Sequence, residues 1–327
     1  MTHLPPEWAP QERLWIGFPG DPAEWPVDRP AAQAQAAAFA NAVAANGTAV
    51  TLFARTAEDF AAASMLAEPE VDVAREPFGD IWLRDTGPLG IVDAAGKRAF
   101  IDFGFNGWGG KFHMPGDETI GARLAASARL PCTTYPIILE GGAIDVDGAG
   151  LAVTTEQCLL NPNRNPYLTR AEIEQRLGAA LGITRVLWLG DGLANDHTDG
   201  HVDNLARFVA PGRVALPEPA SEDDPNAAVY RDAAARARDF GLEVVLLPSP
   251  GLVEVEGEAI PASYMNFYIG NAAVIVPVYG APNDAQAVAA IQALFPDRVA
   301  IGLRADHILT GGGSFHCISQ QIPAHQA

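Results

Sequence analysis

Short apolar runs alternate with alanine-rich or amphipathic stretches along the whole chain, and that alternation confines it to the α/β class. The runs Ala49 to Phe53, Leu151 to Thr155, Val186 to Leu189, Glu243 to Leu247, Ala272 to Val276 and Val299 to Ile301 are bounded by Gly, Pro or polar residues. That is the pattern of strands. The clearest helical stretch runs from Ala31 to Ala45 and is closed by Asn46-Gly47; another follows Thr169, where Thr169 and Glu172 are spaced as a capping box. Further helices are expected near 56–67, 117–129, 225–240 (stopped by Gly241) and 284–294. Strand and helix recur every several tens of residues, with no linker, charge run or low-complexity segment between them. Residues 1–327 therefore read as a single domain. A doubly wound sheet fits this recurrence, and so does a ring of repeated β/α modules around a central site.

The net charge of −19 argues against a nucleic-acid partner, because phosphate binding needs a basic surface. It suits cationic small molecules, although an acidic surface also serves solubility. Hydrophobic residues make up 48% of the chain and charged ones 19%, enough apolar material for a sizeable core. No apolar run approaches the roughly 20 residues of a membrane helix. The opening residues Thr2 to Trp8 have neither a basic nor an apolar stretch and are not read as a secretory signal. Cys132, Cys158 and Cys317 are sparse, odd in number and without CxxC spacing, which argues against disulfides or structural zinc. A reducing cytoplasm fits that usage. Cys132 and Cys158 sit in apolar contexts and are expected to be buried and inert. A homo-oligomer is compatible with the composition, which does not require one.

Cys317 is different. It follows Gly311-Gly312-Gly313-Ser314-Phe315-His316, a setting that suggests a displayed nucleophile. Upstream, Asp196-His197-Thr198-Asp199-Gly200-His201-Val202-Asp203-Asn204 places His201 and Asp203 at i and i+2, on one face if the segment is a strand. Cysteine, histidine and carboxylates are the components of thiol-based covalent catalysis. Three other motifs combine polar residues, tight turns and aromatics: Asp80 to Pro88, Phe105 to Gly110, and Leu139-Glu140-Gly141-Gly142. Taken singly each has a plainer reading. Asp85 before Thr86-Gly87-Pro88 is a good turn-former, Glu140 a good loop acid, and His201 an ordinary structural histidine. The glycines 311–313 lack the GK[ST] ending of a phosphate loop. Asp196, His197, Asp199, His201 and Asp203 are metal-ligand types, but Gly200 interrupts them and no HExxH glutamate is present, so no metal is expected. Papain-type proteases place cysteine before histidine, and here the order is reversed.

Together these segments resemble the agmatine deiminase (agmatine iminohydrolase) family of the guanidine-modifying, or pentein, superfamily. The resemblance runs from Pro6-Glu7-Trp8-Ala9-Pro10-Gln11-Glu12 through Trp82 to Pro88, Phe105 to Gly110, Leu139 to Gly142 and Asn161 to Pro166. It continues through Thr198 to Asn204 and Pro261 to Tyr268, and ends at Gly311 to Gln321. It implies a five-bladed pseudo-symmetric β/α propeller around a central site, and no metal or organic cofactor. By the same resemblance Cys317 is the nucleophile and His201 the general acid/base. Asp85 and Asp203 grip the guanidinium, Glu140 supports the site beside His201, and Trp82, Trp108 and His197 contact the substrate. The implied partner is a cationic small-molecule guanidine, and the implied products from agmatine are N-carbamoylputrescine and ammonia.

Elementary chemistry agrees with those roles. A guanidinium is planar, cationic and a poor electrophile, and carboxylates accept paired N–H bonds from its fork. A thiol with a pKa near 8.5 is only a few per cent thiolate at neutral pH. A cation about 4 Å away favours the thiolate by roughly 4 kcal/mol at an effective dielectric near 20.

Many family members carry an acid where His197 stands, on the side expected to meet the far amine of agmatine. Asp196 and Asp199 are near enough in sequence to compensate. Ser314 stands where Asn is common. The rival readings are a deiminase for another guanidine, such as a peptidyl-arginine or a different alkylguanidine, an amidinotransferase of the same superfamily, and a protein that only binds cations. The last has no need of Cys317.

Overall fold

The computed structural model describes residues 2–25, 28–255 and 257–325. It is built from five small mixed sheets on one plan. In each, an antiparallel pair is followed by a helix that returns the chain to a parallel third strand, the connection a parallel pair requires. The second blade shows the plan: Leu89–Val92 and Arg98–Gly104 are antiparallel, Asp117–Ser127 is the helix, and Cys132–Ile138 runs parallel. The third uses Asp145–Val146, Leu151–Thr155 and Arg185–Leu189 around the helix Arg170–Leu181. The fourth uses Arg207–Ala210, Arg213–Glu218 and Glu243–Pro248 around Ala227–Asp239. The fifth uses Tyr268–Ile269, Ala273–Val278 and Val299–Arg304 around Asp284–Leu294.

The first blade joins the two ends of the chain. Ser319–Pro323 pairs antiparallel with Gln11–Gly17, which pairs parallel with Ala49–Ala54 across the helix Arg29–Ala45. A further helix, Ala57–Leu66, adds the strand Val71–Arg75. This closure brings Cys317, two residues before the last strand, against the start of the chain: the Gly17 amide donates to Ile318 O at 2.9 Å. The five-bladed propeller implied by the resemblance is the fold.

Local chemistry explains the elements. The expected capping box forms between Thr169 and Glu172, a second one forms between Thr56 and Asp59, and Gly182 closes the former helix in the left-handed region. Asn46 and Gly47 end the first helix as expected. Leu151–Thr155 is buried along its whole length, which is why it reads as a continuous apolar run. Strands such as Arg98–Gly104, which carries Arg98, Asp102 and Gly104 and a register shift, do not stand out as apolar runs. Cys132 departs from expectation. It is exposed, because it opens the outer strand of the second blade; partial burial and Asp102 nonetheless push its thiol up to about 11. Among the described residues no helix is long and apolar enough to cross a membrane.

Candidate active site

Each of the first four passages from one blade to the next carries a short helical turn, and these turns meet at the centre. Leu83–Thr86 follows the first blade, Gly141–Ala143 the second, Val202–Asn204 the third and Tyr264–Asn266 the fourth, with successive turns in contact. The fifth passage is the loop that carries Cys317, and the Arg84 amide donates to Cys317 O at 3.1 Å. His201 and Asp203 therefore lie on a 3₁₀ turn rather than on the strand expected from their spacing. Gly200, at φ 81°, turns the chain into it. The two side chains still converge, because the turn wraps around Gly142. A Cβ built there would lie 2.7 Å from His201 Nδ1, 2.9 Å from Asp85 Oδ1 and 3.1 Å from Asp203 Oδ2. Only glycine fits at the meeting point.

Cys317 is held rather than displayed, with 7% of its surface exposed. Asn266 Nδ2 donates to its Sγ at 3.0 Å, and Sγ lies 3.5 Å from Asp203 Oδ2. Asn266 Oδ1 accepts the amides of His316 and Cys317 at 3.0 and 3.3 Å, fixing the loop. Asp85 accepts from the Gly142 amide at 3.0 Å and from Trp108 Nε1 at 2.9 Å. Trp108 thus lines the cavity and also orients a carboxylate, from a left-handed backbone at φ 52° that is strained for a Trp. Trp82 lines the same cavity, and its Nε1 donates to Asp80 Oδ2 at 2.9 Å.

Glu140 is fully buried and ion-pairs through Oε1 with Arg164 Nε at 2.6 Å. Arg164 also reaches Asp199 Oδ2 at 2.6 Å and Thr198 O at 2.8 Å, tying Glu140 to the segment that carries His201. His201 Nδ1 lies 3.6 Å from Asp85 Oδ1. Among the described residues, Glu140 Oε2, Asp203 Oδ1 and both ring nitrogens of His201 are buried without a hydrogen-bond partner.

Beneath these groups lies a layer of charge. Asp203 Oδ2 meets His316 Nδ1 at 2.8 Å, and His316 Nε2 meets Glu7 Oε2 at 2.8 Å. Both ring nitrogens of His316 thus face carboxylates. Glu7 also pairs with Arg207 at 2.8 Å and Arg84 at 3.3 Å and accepts the Ile269 amide at 2.7 Å. Sequence reasoning assigned no role to Glu7, Arg84, Arg164, Arg207, Asn266 or His316. Five of them, Glu7, Arg84, Arg164, Asn266 and His316, stood inside motifs that carried the resemblance; Arg207 did not.

Titration follows from this environment. Burial, then the charges of Asp203 and Asp85, push the Cys317 thiol well above its ordinary value. Burial alone would lower the His201 imidazole, but Asp85, then Cys158, then Glu140 outweigh it and carry His201 well above its usual range. Burial raises Asp85. Burial would raise Asp203 too, yet the His316 hydrogen bond and charge bring it below the ordinary carboxylate range.

The residues weighed as metal ligands between Asp196 and Asp203 do not gather. Among the described residues the one convergent set is Glu140, Cys158 and His201, whose ligand atoms lie within 4.8 Å of one another, all buried. Arg164 already occupies one oxygen of Glu140. Cys158 is buried as expected, and burial raises its thiol.

A cavity of about 170 Å³ opens above Cys317 and Asp85. Trp82, Trp108 and Phe112 wall it, and His197, Glu24 and Asp80 also line it. His197 packs against Phe112, with ring centroids 6.1 Å apart. His201 and Glu140 stand behind this surface, 1% and 0% exposed.

A β/α propeller whose inter-blade turns enclose a thiol, an imidazole and carboxylates is the architecture of the guanidine-modifying enzymes. The chain belongs within them to the Porphyromonas-type peptidyl-arginine deiminase family, whose model matches residues 3–323. It is 37% identical to the agmatine deiminase of Pseudomonas fluorescens (strain SBW25), over 98% of this chain and 95% of that one. The structure of the agmatine deiminase of Enterococcus faecalis superposes with a TM-score of 0.93 at 33% identity, over 99% and 96% of the two chains. A cysteine-to-serine variant of the C. jejuni agmatine deiminase, solved with substrate bound, also gives 0.93, at 29% identity over 100% and 98%.

Proposed function

We propose that this protein is a cysteine-dependent agmatine deiminase that hydrolyses the guanidinium group to N-carbamoylputrescine and ammonia. The carrying observation is Cys317 Sγ set between Asn266 and Asp203, beside Asp85, at the inner end of a cavity with aromatic walls. Residues 1–327 act as one catalytic domain, a reading supported by a site that draws on every inter-blade passage. A reducing cytoplasm suits an enzyme that depends on a free thiol.

Asp85 and Asp203 receive the guanidinium, and its charge favours the thiolate that burial disfavours in the empty site. The thiol proton leaves to solvent as the cation docks. Sulfur attacks the guanidinium carbon, and a tetrahedral adduct forms. Protonated His201 gives its proton to one amino group, which departs as ammonia and leaves an S-alkylthiouronium. Neutral His201 then takes a proton from water as its oxygen adds to the same carbon. Collapse breaks the C–S bond as the adduct's hydroxyl becomes the carbonyl and its proton leaves to solvent, which releases the neutral carbamoyl product and returns the thiolate. Glu140, tied to Arg164, holds negative charge beside His201 and favours its protonated form.

Ammonia release by the purified protein from agmatine, free arginine and an arginyl peptide tests the reading. Turnover confined to agmatine is expected. Turnover of the peptide alone would move the substrate to peptidyl-arginine and keep the chemistry.

A further inference from the structure

Within the agmatine reading, on which this inference rests, we propose that Glu24 is the anionic outer end of the substrate cavity and receives the remote ammonium of an ω-aminoalkylguanidine. The acids near His197 are either taken or placed elsewhere. Asp199 is taken by Arg164 at 2.6 Å, Lys111 at 2.8 Å and Asn163 at 2.9 Å. Asp196 Oδ1 caps the Thr198 amide and hydroxyl, and Asp196 lines an outer groove instead of the cavity above Cys317. Asp80 does line the cavity, but one oxygen accepts the Ile81 amide at 2.7 Å and the other Trp82 Nε1 at 2.9 Å. Glu24 lines the cavity and has no hydrogen bond or ion pair among the described residues.

Its placement is built rather than incidental. The neighbouring Trp25 is 2% exposed and donates through Nε1 to His307 O at 3.0 Å. Trp25 packs against Trp82, with centroids 6.3 Å apart, and against Gly311, where a Cβ would meet the indole at 2.4 Å. On the other side Asp21 is held by Arg55 at 3.0 Å and by the Ala23 amide at 2.9 Å. The turn bearing Glu24 is thereby pinned to the cavity wall and to the loop that ends in Cys317. Asp21 and Arg55 largely offset one another, leaving Glu24 as the unpaired charge. Burial and then Asp21 raise its carboxyl, and Glu24 in turn helps to push Asp80 up to about 8. A bound ammonium would relieve this crowding of negative charge. The ligand is therefore a dication, with its guanidinium on Cys317, Asp85 and Asp203 and its ammonium on Glu24. Free arginine would bring its α-carboxylate to the same acid and be disfavoured.

The test is steady-state kinetics of wild type, Glu24→Gln and Glu24→Asp with agmatine and with butylguanidine, which lacks the amine. Glu24→Gln is expected to raise KM for agmatine about 10- to 100-fold, the value of one charged hydrogen bond, with kcat little changed. KM for butylguanidine stays where it was, and Glu24→Asp recovers part of the loss. An unchanged agmatine KM in Glu24→Gln, or equal losses on both guanidines, overturns the assignment while wild-type agmatine turnover leaves the deiminase reading intact. A wild type inactive on both guanidines removes that reading, and this inference with it.

Discussion

Beneath Cys317, Glu7, Arg84, Asp203, Arg207 and His316 are at most 5% exposed and interlocked by ion pairs, whereas at the mouth Glu24 and His197 have no such partner among the described residues. The first region lies beneath the cavity and the second lines it, and the two follow different physics. On the floor each charge is costly to bury and is compensated by a neighbour of opposite sign, so the geometry is rigid. At the mouth, charge stays partly solvated and available to a ligand that must enter and leave. The proposed reaction chemistry rests on the first region and the proposed substrate choice on the second.

The largest expected effect strikes where the two regions meet the substrate. Cys317→Ser should lower kcat by on the order of 10⁴-fold or more, since the covalent route is lost, while agmatine still binds in a calorimetric titration. Loss of binding together with loss of turnover would mean that the thiol organises the cavity as well as attacking.

Next in size is the floor itself. Glu7→Gln strands Arg207, Arg84 and His316 without their shared carboxylate and should destabilise the fold by about 3–5 kcal/mol. The pH dependence has a definite sign. Burial would raise Glu7, but Arg207, His316 and Arg84 outweigh it and hold its carboxyl far below the ordinary 4.5. A depressed acid adds stability that is complete above about pH 4.5 and is lost as pH falls below it. Acid titration of the unfolding midpoint should therefore show wild type losing its advantage over Glu7→Gln below that value. Parallel curves would show that Glu7 is not ionised in the fold.

That floor was largely illegible in the sequence, and the mouth only partly legible. The candidate site residues stood out because each sits in a tight polar turn with glycine, and because a cysteine near a glycine-rich loop has few structural explanations. Strand–helix recurrence gave the α/β class from apolar periodicity, but five blades rather than a doubly wound sheet came from the resemblance. The antiparallel partners escaped notice because strands such as Arg98–Gly104 mix charge and glycine with apolar residues. Glu7 and Arg207 lie 200 residues apart in sequence, and only closure of the ring by Ser319–Pro323 brings the N-terminal segment under the nucleophile. Alternation at i and i+2 put His201 and Asp203 on one strand face, whereas Gly200 and the 3₁₀ turn achieve the same convergence by another route. Cys132 was read as buried from apolar neighbours, but neighbours in sequence do not say which strand is at a sheet edge.

The smallest effect tests the mouth at His197, which lines the same cavity as Glu24. His197 makes only an aromatic contact with Phe112, and family resemblance places an acid at its position. If Glu24 already holds the ammonium, a second carboxylate from His197→Glu adds only the modest attraction of a partly solvated pair. Agmatine KM should then fall by about two- to fivefold with kcat unchanged. The same substitution in a Glu24→Gln background should recover much more, because it then supplies the only available carboxylate at that end. Equal gains in both backgrounds would mean that the two positions act independently and that Glu24 does not meet the amine. A single-variant gain well beyond tenfold would mean that the wild-type mouth has no ammonium carboxylate at all, so the paired measurement separates a mouth that has moved its acid from one that has lost it.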